Sequence, residues 1–245
     1  YIRVDDLDLE YYNITGPYLY YVNKTSAKVN LLVTAPPSVS GDYYYEYVTV
    51  EFYEVTESGD LGSFITIVYA YINSTYTLYL QYNMTVAAVI PGYNSTGTSY
   101  SSYGYGDRID FNTTSSPINI TFYMSRLSVH VIGPWGPVSG IEVRVYPSIP
   151  GFGGTYEYTD LNGYAEFLLT KGPYTYYLPY IMPDIRRSVV LEYYDRKVVE
   201  EELGAIIINH NHAPDIDTSL CVYVSTGGSG WFYYVWDQRI VYVHN

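Results

Sequence analysis

The chain has 245 residues, 48% of them hydrophobic and 35 of them Tyr, with a formal net charge of −13. This length allows one large β domain or two of ordinary size. The excess of acids argues against nucleic-acid binding, because phosphate backbones would be repelled. No apolar run approaches the roughly 18 residues of a membrane-spanning helix. Abundant β-branched and aromatic residues predict an all-β protein.

Residues 1–12 alternate between apolar and polar side chains and are predicted to form a strand with a one-residue shift in phase. The apolar positions of this strand are Ile2, Val4, Leu7, Leu9 and Tyr11. Three acids lie between them: Asp6, Asp8 and Glu10. We interpret the acids as solvated charges beside a sheet edge, with a calcium site as the alternative.

The N-terminal half continues with short strand-like segments separated by turn residues, a pattern typical of a β-sandwich. The predicted strands are residues 27–34, 43–55, 64–72, 76–81, 84–90 and 118–124. Residues 91–107 are rich in Gly, Ser and Tyr and are predicted to form a long surface loop.

Seven Asn-x-Thr triplets, the acceptor sequence for N-glycosylation, occur in the first 121 residues and none follows. Twelve Asn in a chain with this Ser and Thr content would give about two such sites by chance. The predicted acceptors are Asn13, Asn23, Asn73, Asn83, Asn94, Asn112 and Asn119. Because a glycan needs an accessible Asn, the pattern indicates an extracellular surface covered by sugars. The alternative is an accidental pattern in a Thr-rich β protein.

A different pattern begins near residue 126. Asp160-Leu161-Asn162-Gly163 is predicted to be a tight turn between two strands, since Asn and Gly tolerate positive φ. The residues that characterise this region are Gly140, Val143 and Val145; Thr159, Asp160, Asn162, Gly163, Tyr164 and Phe167; and Gly172, Tyr174 and Tyr176. The last strand of this region is predicted at residues 188–194 or 205–209, with the charged residues 195–202 between them.

Over residues 126–212 these motifs resemble the carboxypeptidase-regulatory-like, or transthyretin-like, β-sandwich module. The resemblance implies a structural or adhesive accessory domain rather than a catalyst. Some members of that family close an internal Lys–Asn isopeptide bond. This chain offers no matching Lys with a Glu partner inside the strands concerned, so no such bond is expected.

The C-terminal segment is predicted to form a hairpin of residues 220–225 and 231–236, followed by a strand at 239–244. The single cysteine, Cys221, cannot form an intrachain disulfide. Its place in an alternating strand favours a buried small hydrophobe over an intermolecular bridge or reactive thiol. His130 also lies in an alternating strand and is interpreted as structural.

One group of potential metal ligands stands out: His210, His212, Asp215 and Asp217. In a strand, residues two apart point the same way, so this set could bind a metal. Pro214 favours the alternative of a solvated linker. The acids Glu200–Glu202, Asp107 and Asp110 are interpreted as solvated charges. Nucleophile, zinc-protease, P-loop and dinucleotide motifs are missing, so we expect no enzyme and no cofactor, although paired glycosidase carboxylates could escape notice.

We therefore predict two β-sandwich modules, Ig-like or transthyretin-like, with a possible exchanged terminal strand. The predicted segments are a donor strand at 1–12, a glycosylated sandwich at 13–125, the transthyretin-like sandwich at 126–212, and a hairpin and strand at 213–245.

The predicted function is a structural subunit of an extracellular filament or surface coat that polymerises with copies of itself by strand donation. The overall pattern resembles archaeal surface threads and pili built by strand complementation. Residues 239–245 are the alternative donor. The competing hypothesis is a monomeric adhesive or carbohydrate-binding module, in which exposed Trp135, Trp231 and Trp236 would stack on sugars.

Overall fold

A computed structural model describes residues 26–39, 46–91, 105–148, 154–181, 185–207, 220–225, 230–235 and 240–244. Every regular element of secondary structure in these ranges is a β-strand, which confirms the prediction of an all-β protein. No helix in these ranges is long and apolar enough to cross a membrane. The chain divides into two compact units: unit 1 comprises residues 1–35 and 44–124, and unit 2 comprises residues 36–43 and 125–245.

Unit 1 contains seven described strands in two sheets. They are β1 (Ser26–Thr34), β2 (Tyr47–Val55), β3 (Leu61–Tyr71), β4 (Ser74–Gln81), β5 (Thr85–Ile90), β6 (Asp107–Asn112) and β7 (Ile118–Tyr123). One sheet has the order β4-β1-β7 and the other β3-β2-β5-β6. The central strand β1 runs antiparallel to β4 and parallel to β7.

The core of unit 1 follows from the two-residue period of its strands. Along β1 every second side chain is fully buried, and the residues between are partly exposed. The buried set of β1 is Ala27, Val29, Leu31 and Val33, and that of β2 is Val48, Val50 and Phe52. Because each sheet buries one apolar face, the two sheets form a sandwich. Each large apolar side chain buried in this way stabilises the fold by about 1.5–3 kcal/mol.

Unit 2 contains the remaining described strands. They are β8 (Ser125–Gly133), β9 (Gly136–Pro137), β10 (Glu142–Pro147), β11 (Thr155–Tyr158), β12 (Tyr164–Leu169), β13 (Gly172–Leu178), β14 (Ile185–Leu191), β15 (Arg196–Ile207), β16 (Leu220–Ser225), β17 (Gly230–Val235) and β18 (Ile240–His244). One sheet has the order β11-β10-β13-β14, and the other contains β12, β8 and β15. Strand β18 pairs with residues 203–207, the part of β15 that extends beyond its pairing with β8.

The two units share one strand order once the two-residue β9 is set aside. In each unit the first strand pairs antiparallel with the fourth and parallel with the seventh. The second strand pairs with the third and the fifth, and the fifth pairs with the sixth. The described strands thus contain the same seven-stranded sandwich topology twice.

Several local predictions differ from the structure. Strand β6 was not predicted, because its Asp-Arg-Ile-Asp sequence has too few apolar residues to indicate a strand. The charged residues 195–202 are not a connection but most of β15, whose Glu201 is buried rather than solvated. The turn at residues 160–163 does join two strands, with Gly163 at φ 78°. However, β11 and β12 belong to different sheets, so the turn passes from one sheet to the other.

Unit 2 holds charged side chains in its interior. The side chains of Arg126 and Glu166 are 2% and 1% exposed, and their nearest charged atoms are 3.9 Å apart. Arg126 Nε also donates to the Pro36 carbonyl at 3.0 Å. The Glu166 carboxylate accepts hydrogen bonds from Ser128 Oγ at 2.7 Å, Val39 N at 2.8 Å and the Ser38 hydroxyl. This cluster therefore fastens residues 36–39 to strands β8 and β12.

Opposing effects act on the pKa of Glu166. Burial raises it, whereas the hydrogen bonds from Ser38, Ser128 and Val39 N, together with the Arg126 charge, lower it. The lowering effects are stronger, so the pKa lies below its usual value and the carboxylate is ionised at neutral pH. A second buried group joins the two sheets: the Tyr176 hydroxyl donates to Glu201, and Arg187 Nε lies 3.4 Å from the same oxygen of Glu201.

Candidate glycan acceptors and a candidate strand-accepting edge

Four of the seven predicted glycan acceptors lie in the described residues, and all four are exposed: Asn73, Asn83, Asn112 and Asn119. The other three, Asn13, Asn23 and Asn94, lie outside the described residues. Asn73 and Asn83 occupy turns with φ of 60° and 63°, a left-handed conformation that Asn adopts more readily than most residues. Asn112 ends β6, and Asn119 lies within β7.

Central strand β1 holds two of these asparagines on the outer face of the β4-β1-β7 sheet. Asn30 Nδ2 donates to Asn119 Oδ1 at 2.9 Å, and Asn30 Oδ1 accepts from Thr77 Oγ1 at 3.1 Å. At the end of the same strand, Thr34 Oγ1 donates to Asn73 Oδ1 at 2.6 Å. In both asparagines the side-chain oxygen is therefore turned toward β1.

This orientation has a chemical consequence, because an N-linked glycan is attached to Nδ2. The oxygen and nitrogen are the two branches of one planar amide. With Oδ1 directed toward β1, the Nδ2 atom of Asn119 or Asn73 is directed away from β1. Among the described residues, neither Nδ2 makes a hydrogen bond. Both asparagines are also exposed, as the attachment of a glycan requires.

The triplets of Asn83 and Asn112 lie side by side. Thr85, the third residue of the first triplet, pairs with Asn112 across β5 and β6 and donates from Oγ1 to Asn112 Oδ1 at 2.8 Å. The middle residues are also joined, since Thr113 N donates to the Met84 carbonyl at 2.9 Å and Met84 N donates to Thr113 Oγ1 at 2.8 Å. Two acceptors are thus presented at one end of the same sheet.

Strand β7 forms one edge of its sheet. It pairs with β1 on one side, and no described strand pairs with its other side. Its alternate residues Ile120 and Phe122 are 4% and 1% exposed and belong to the core. The backbone N–H and C=O groups along an edge of this kind can pair with an added strand.

The other predicted sites are placed as follows. The five apolar residues of the proposed donor strand and the candidate metal ligands His210, His212, Asp215 and Asp217 lie outside the described residues. Within the described part of the chain, no group of three or more His, Cys, Asp or Glu side chains could hold a metal ion. His130 stacks on Tyr164 with ring centroids 4.1 Å apart, consistent with a structural role.

Three further predictions concern the hairpins and strands of unit 2. Trp135 is 61% exposed on the connection between β8 and β9. Cys221 lies in β16, opposite Tyr234 of β17. The alternative donor strand, residues 239–245, contains β18, which is paired with β15 of its own chain.

Sequence reasoning did not find Asn30 and Thr34, which orient the acceptor asparagines. Their only signal is that they fall at the outward positions of an alternating strand, where many polar residues would serve equally well. The buried charges Arg126 and Glu166 were also missed. Glu166 is flanked by apolar residues in its strand, a weak sign that it packs against a specific partner.

The chain matches no family model, and no curated protein sequence matches it significantly. Among solved structures it is similar to the Bacillus anthracis TIE protein, at 15% identity and a TM-score of 0.28, over 72% of this chain and 33% of that one. It is also similar to a streptococcal ancillary pilin, at 11% identity and a TM-score of 0.27, over 74% and 63%. A third structure is GBS52, the minor pilin of Streptococcus agalactiae, at 11% identity and a TM-score of 0.33, over 78% and 100%.

The chain thus spans one third of the length of the first of these proteins and less than two thirds of the second. Similarities of this size carry no functional argument.

Proposed function

We propose that this protein is an N-glycosylated structural subunit of an extracellular filament or surface coat, and that copies of it polymerise by donating a strand to one another. The observation that carries the proposal is the position of β7 at the end of its sheet, where no described strand other than β1 pairs with it. Strand β7 ends at Tyr123 and β8 begins at Ser125, so a single residue separates them. Unit 1 ends at Met124, so no later segment of unit 1 can pair with this edge.

The N-terminal segment is the proposed donor. Residues 1–12 alternate in the manner of a strand, and their apolar set, Ile2, Val4, Leu7, Leu9 and Tyr11, would extend the core face formed by Ile120 and Phe122. Twelve residues are enough to pair with all six residues of β7. A strand added from another copy would supply both hydrogen bonds and buried apolar surface, and it would join subunits head to tail.

The glycan part of the proposal is supported by the four described acceptors, which are all exposed. Two of them have the amide oxygen engaged by β1 while the nitrogen makes no hydrogen bond to the described residues. Sugars at these positions would place unit 1 outside the cell. The proposed partners of the subunit are therefore copies of itself and covalent glycans, and a net charge of −13 argues against nucleic acid.

Deletion of residues 1–12 tests strand donation. We expect the truncated chain to remain as soluble subunits in negative-stain micrographs, whereas the full chain forms regular filaments. A synthetic peptide of residues 1–12 should bind the truncated subunit one to one and shift the NMR signals of β7. The matched control removes residues 239–245, and we expect these chains to keep assembling because β18 is paired within its own chain. Regular filaments from the chain without residues 1–12 would refute the proposed donor.

Glycopeptide mass spectrometry of material from the native host tests the modification. We expect sugar on Asn73, Asn83, Asn112 and Asn119, and bare asparagines at all four would refute this part of the proposal.

A monomeric carbohydrate-binding module is the second candidate, and the exposure of Trp135 favours it. Its indole ring could stack on a sugar ring at the tip of the β8–β9 connection. If this function is correct, dispersed particles would bind glycans on an array, and Trp135→Ala would abolish that binding. Unchanged glycan binding by this variant would contradict the role of Trp135.

A further inference from the structure

A tyrosine ring lies between the two glycan acceptors at one end of unit 1. Tyr82 immediately precedes Asn83 in the chain and is 43% exposed. Its hydroxyl donates to the Thr114 carbonyl at 2.8 Å, and Thr114 is the third residue of the Asn112 triplet. The side chain of Tyr82 therefore runs from one triplet to the other.

The two chain segments that this ring joins are also held together by their backbones. Asn83 N donates to the Thr113 carbonyl at 3.4 Å, and Thr113 N donates to the Met84 carbonyl at 2.9 Å. Met84 N donates in turn to Thr113 Oγ1 at 2.8 Å. Because Thr113 is fully buried, the interior of unit 1 anchors both triplets. The position of Tyr82 relative to the two acceptors is therefore set by the fold.

The Tyr82 ring is held in place and is still accessible to a ligand. A Tyr ring offers an apolar face, on which the C–H groups of a sugar ring can stack. Stacking on a freely moving side chain has an entropic cost, because the side chain loses rotamers when it is ordered. The Tyr82 side chain is already fixed by the backbone at one end and by Thr114 at the other. A sugar that stacks on it therefore orders little that is not ordered beforehand.

Both acceptors would attach a sugar close to this ring. An N-linked glycan begins at the Asn Nδ2 atom, so its first sugar is only one short side chain away from the backbone. Asn83 is the neighbour of Tyr82 in the chain and lies in a turn with φ 63°. The amide of Asn112 is oriented by Thr85 Oγ1, which donates to its Oδ1 at 2.8 Å. The first sugar of either glycan thus starts beside Tyr82.

We propose that Tyr82 is a binding platform for the first sugar of an N-linked glycan on Asn83 or Asn112. This inference rests on the proposed function, because it requires a glycan on at least one of the two asparagines. The ligand class is a hexose ring that stacks one C–H face on the Tyr82 ring. Opening of the adjoining ends of β5 and β6 would break this contact. The glycan therefore stabilises unit 1 as well as covering its surface.

The test measures how far glycosylation slows hydrogen exchange in peptides of β5 and β6, with and without the ring. Full chain from the native host is compared with chain made without glycosylation. We expect glycosylation to slow exchange about two- to tenfold, the size of effect that one aromatic contact gives. Tyr82→Ala should remove most of this difference, whereas Tyr82→Phe keeps the ring and should retain part of it. Tyr69→Ala, on a 57% exposed residue of β3, is the matched control and should leave the difference unchanged.

Two further variants identify which glycan supplies the sugar. Asn83→Asp removes the first triplet and keeps a residue that tolerates positive φ. Thr114→Ala removes the second triplet and keeps the backbone carbonyl that binds Tyr82. The Tyr82-dependent slowing of exchange should disappear with the triplet whose sugar stacks on the ring, and it must disappear when both are removed. NMR of isotope-labelled glycan gives a direct readout, because protons over an aromatic ring shift upfield and should return to ordinary values in Tyr82→Ala.

Glycopeptide analysis of each sample separates the possible failures. If Asn83 or Asn112 carries sugar and Tyr82→Ala changes neither the exchange difference nor the sugar shifts, the platform is refuted while the proposed subunit function stands. If both asparagines are bare in native material, the platform and glycosylation at these two sites are refuted together. Equal losses from Tyr69→Ala and Tyr82→Ala would also refute a role specific to Tyr82.

Discussion

Units 1 and 2 share a strand order but differ in the chemistry of their interiors. Among the described residues, the buried side chains of unit 1 are apolar apart from Thr113. Unit 2 buries Arg126, Glu166 and Glu201 in the same topology. One sandwich can therefore be closed by apolar faces alone or with charged groups added, provided that each buried charge finds partners.

The buried charges of unit 2 fix the position of a chain segment that is distant in sequence. Ser38 and Val39, which precede β2 in the chain, bind Glu166 of β12, more than 120 residues away. Apolar contacts would leave this segment free to slide, whereas hydrogen bonds to one carboxylate fix its position. The difference between the units is thus one of specificity as much as of stability.

The largest loss of stability should come from a substitution in the apolar core of unit 1. Phe122 is 1% exposed, and its replacement by Ala should destabilise unit 1 by about 3–5 kcal/mol because a cavity remains. Its neighbour Tyr123 is 47% exposed, so Tyr123→Ala should have a much smaller effect. Hydrogen exchange of peptides from β1 and β7 measures both variants. Similar losses from the two substitutions would show that β7 does not contribute a core face.

Removing the charge of Glu166 should have the next largest effect on stability, and this effect should be in unit 2. Glu166→Gln leaves Arg126 buried without its counter-charge and weakens the hydrogen bonds of Ser38 and Val39, at a cost of about 2–3 kcal/mol. Faster exchange should appear in peptides of β8 and β12 and not in unit 1. Glu202→Gln, on an exposed residue of β15, is the control and should change little. A loss of hydrogen-exchange protection confined to unit 1 would contradict the role given to Glu166 in the interior of unit 2.

A smaller change in the stability of unit 2 should follow from lowering the pH. Since the folded-state pKa of Glu166 is lowered, the stability it contributes is fully present above the unfolded-state pKa of about 4.3. That stability is lost as the pH falls through the folded-state value. The stability difference between the unaltered chain and Glu166→Gln should therefore be constant above about pH 5 and shrink in stronger acid. Denaturant unfolding at several pH values measures this stability difference. A difference that grew in acid would show that folding raises the pKa of Glu166 instead of lowering it.

Local structure could be predicted from the sequence where a single local property determines it. The two-residue period of β1 and the turn residue Gly163 predicted local structure, because alternation and positive φ are local properties. Strand β6 and the first half of β15 were missed, because their charges resemble those of a loop and only pairing with β5 and β8 makes them strands. The Arg126–Glu166 contact joins distant strands, and no local pattern could have placed those two residues together.

The candidate sites were predictable to a similar extent. The glycan triplets could be read directly, since each is three consecutive residues. Their relation to the sheet edges could not be predicted, because it depends on which strands lie at the ends of each sheet. Alternation of buried and more exposed residues occurs both in central β1 and in edge strand β7, and it is the pairing that shows which of them is central.

The smallest expected effect concerns the residue that orients Asn119. Asn30→Ala removes an exposed hydrogen bond, so it should destabilise unit 1 by only about 0.5 kcal/mol. It should nevertheless release the Asn119 side chain, which would then sample several rotamers instead of directing Nδ2 away from β1. NMR relaxation of the Asn119 side-chain amide in unglycosylated chain should show increased motion. Thr77→Val breaks the hydrogen bond on the other side of Asn30 and should increase that motion less. An Asn119 amide as rigid in Asn30→Ala as in the unaltered chain would mean that β1 does not set its direction.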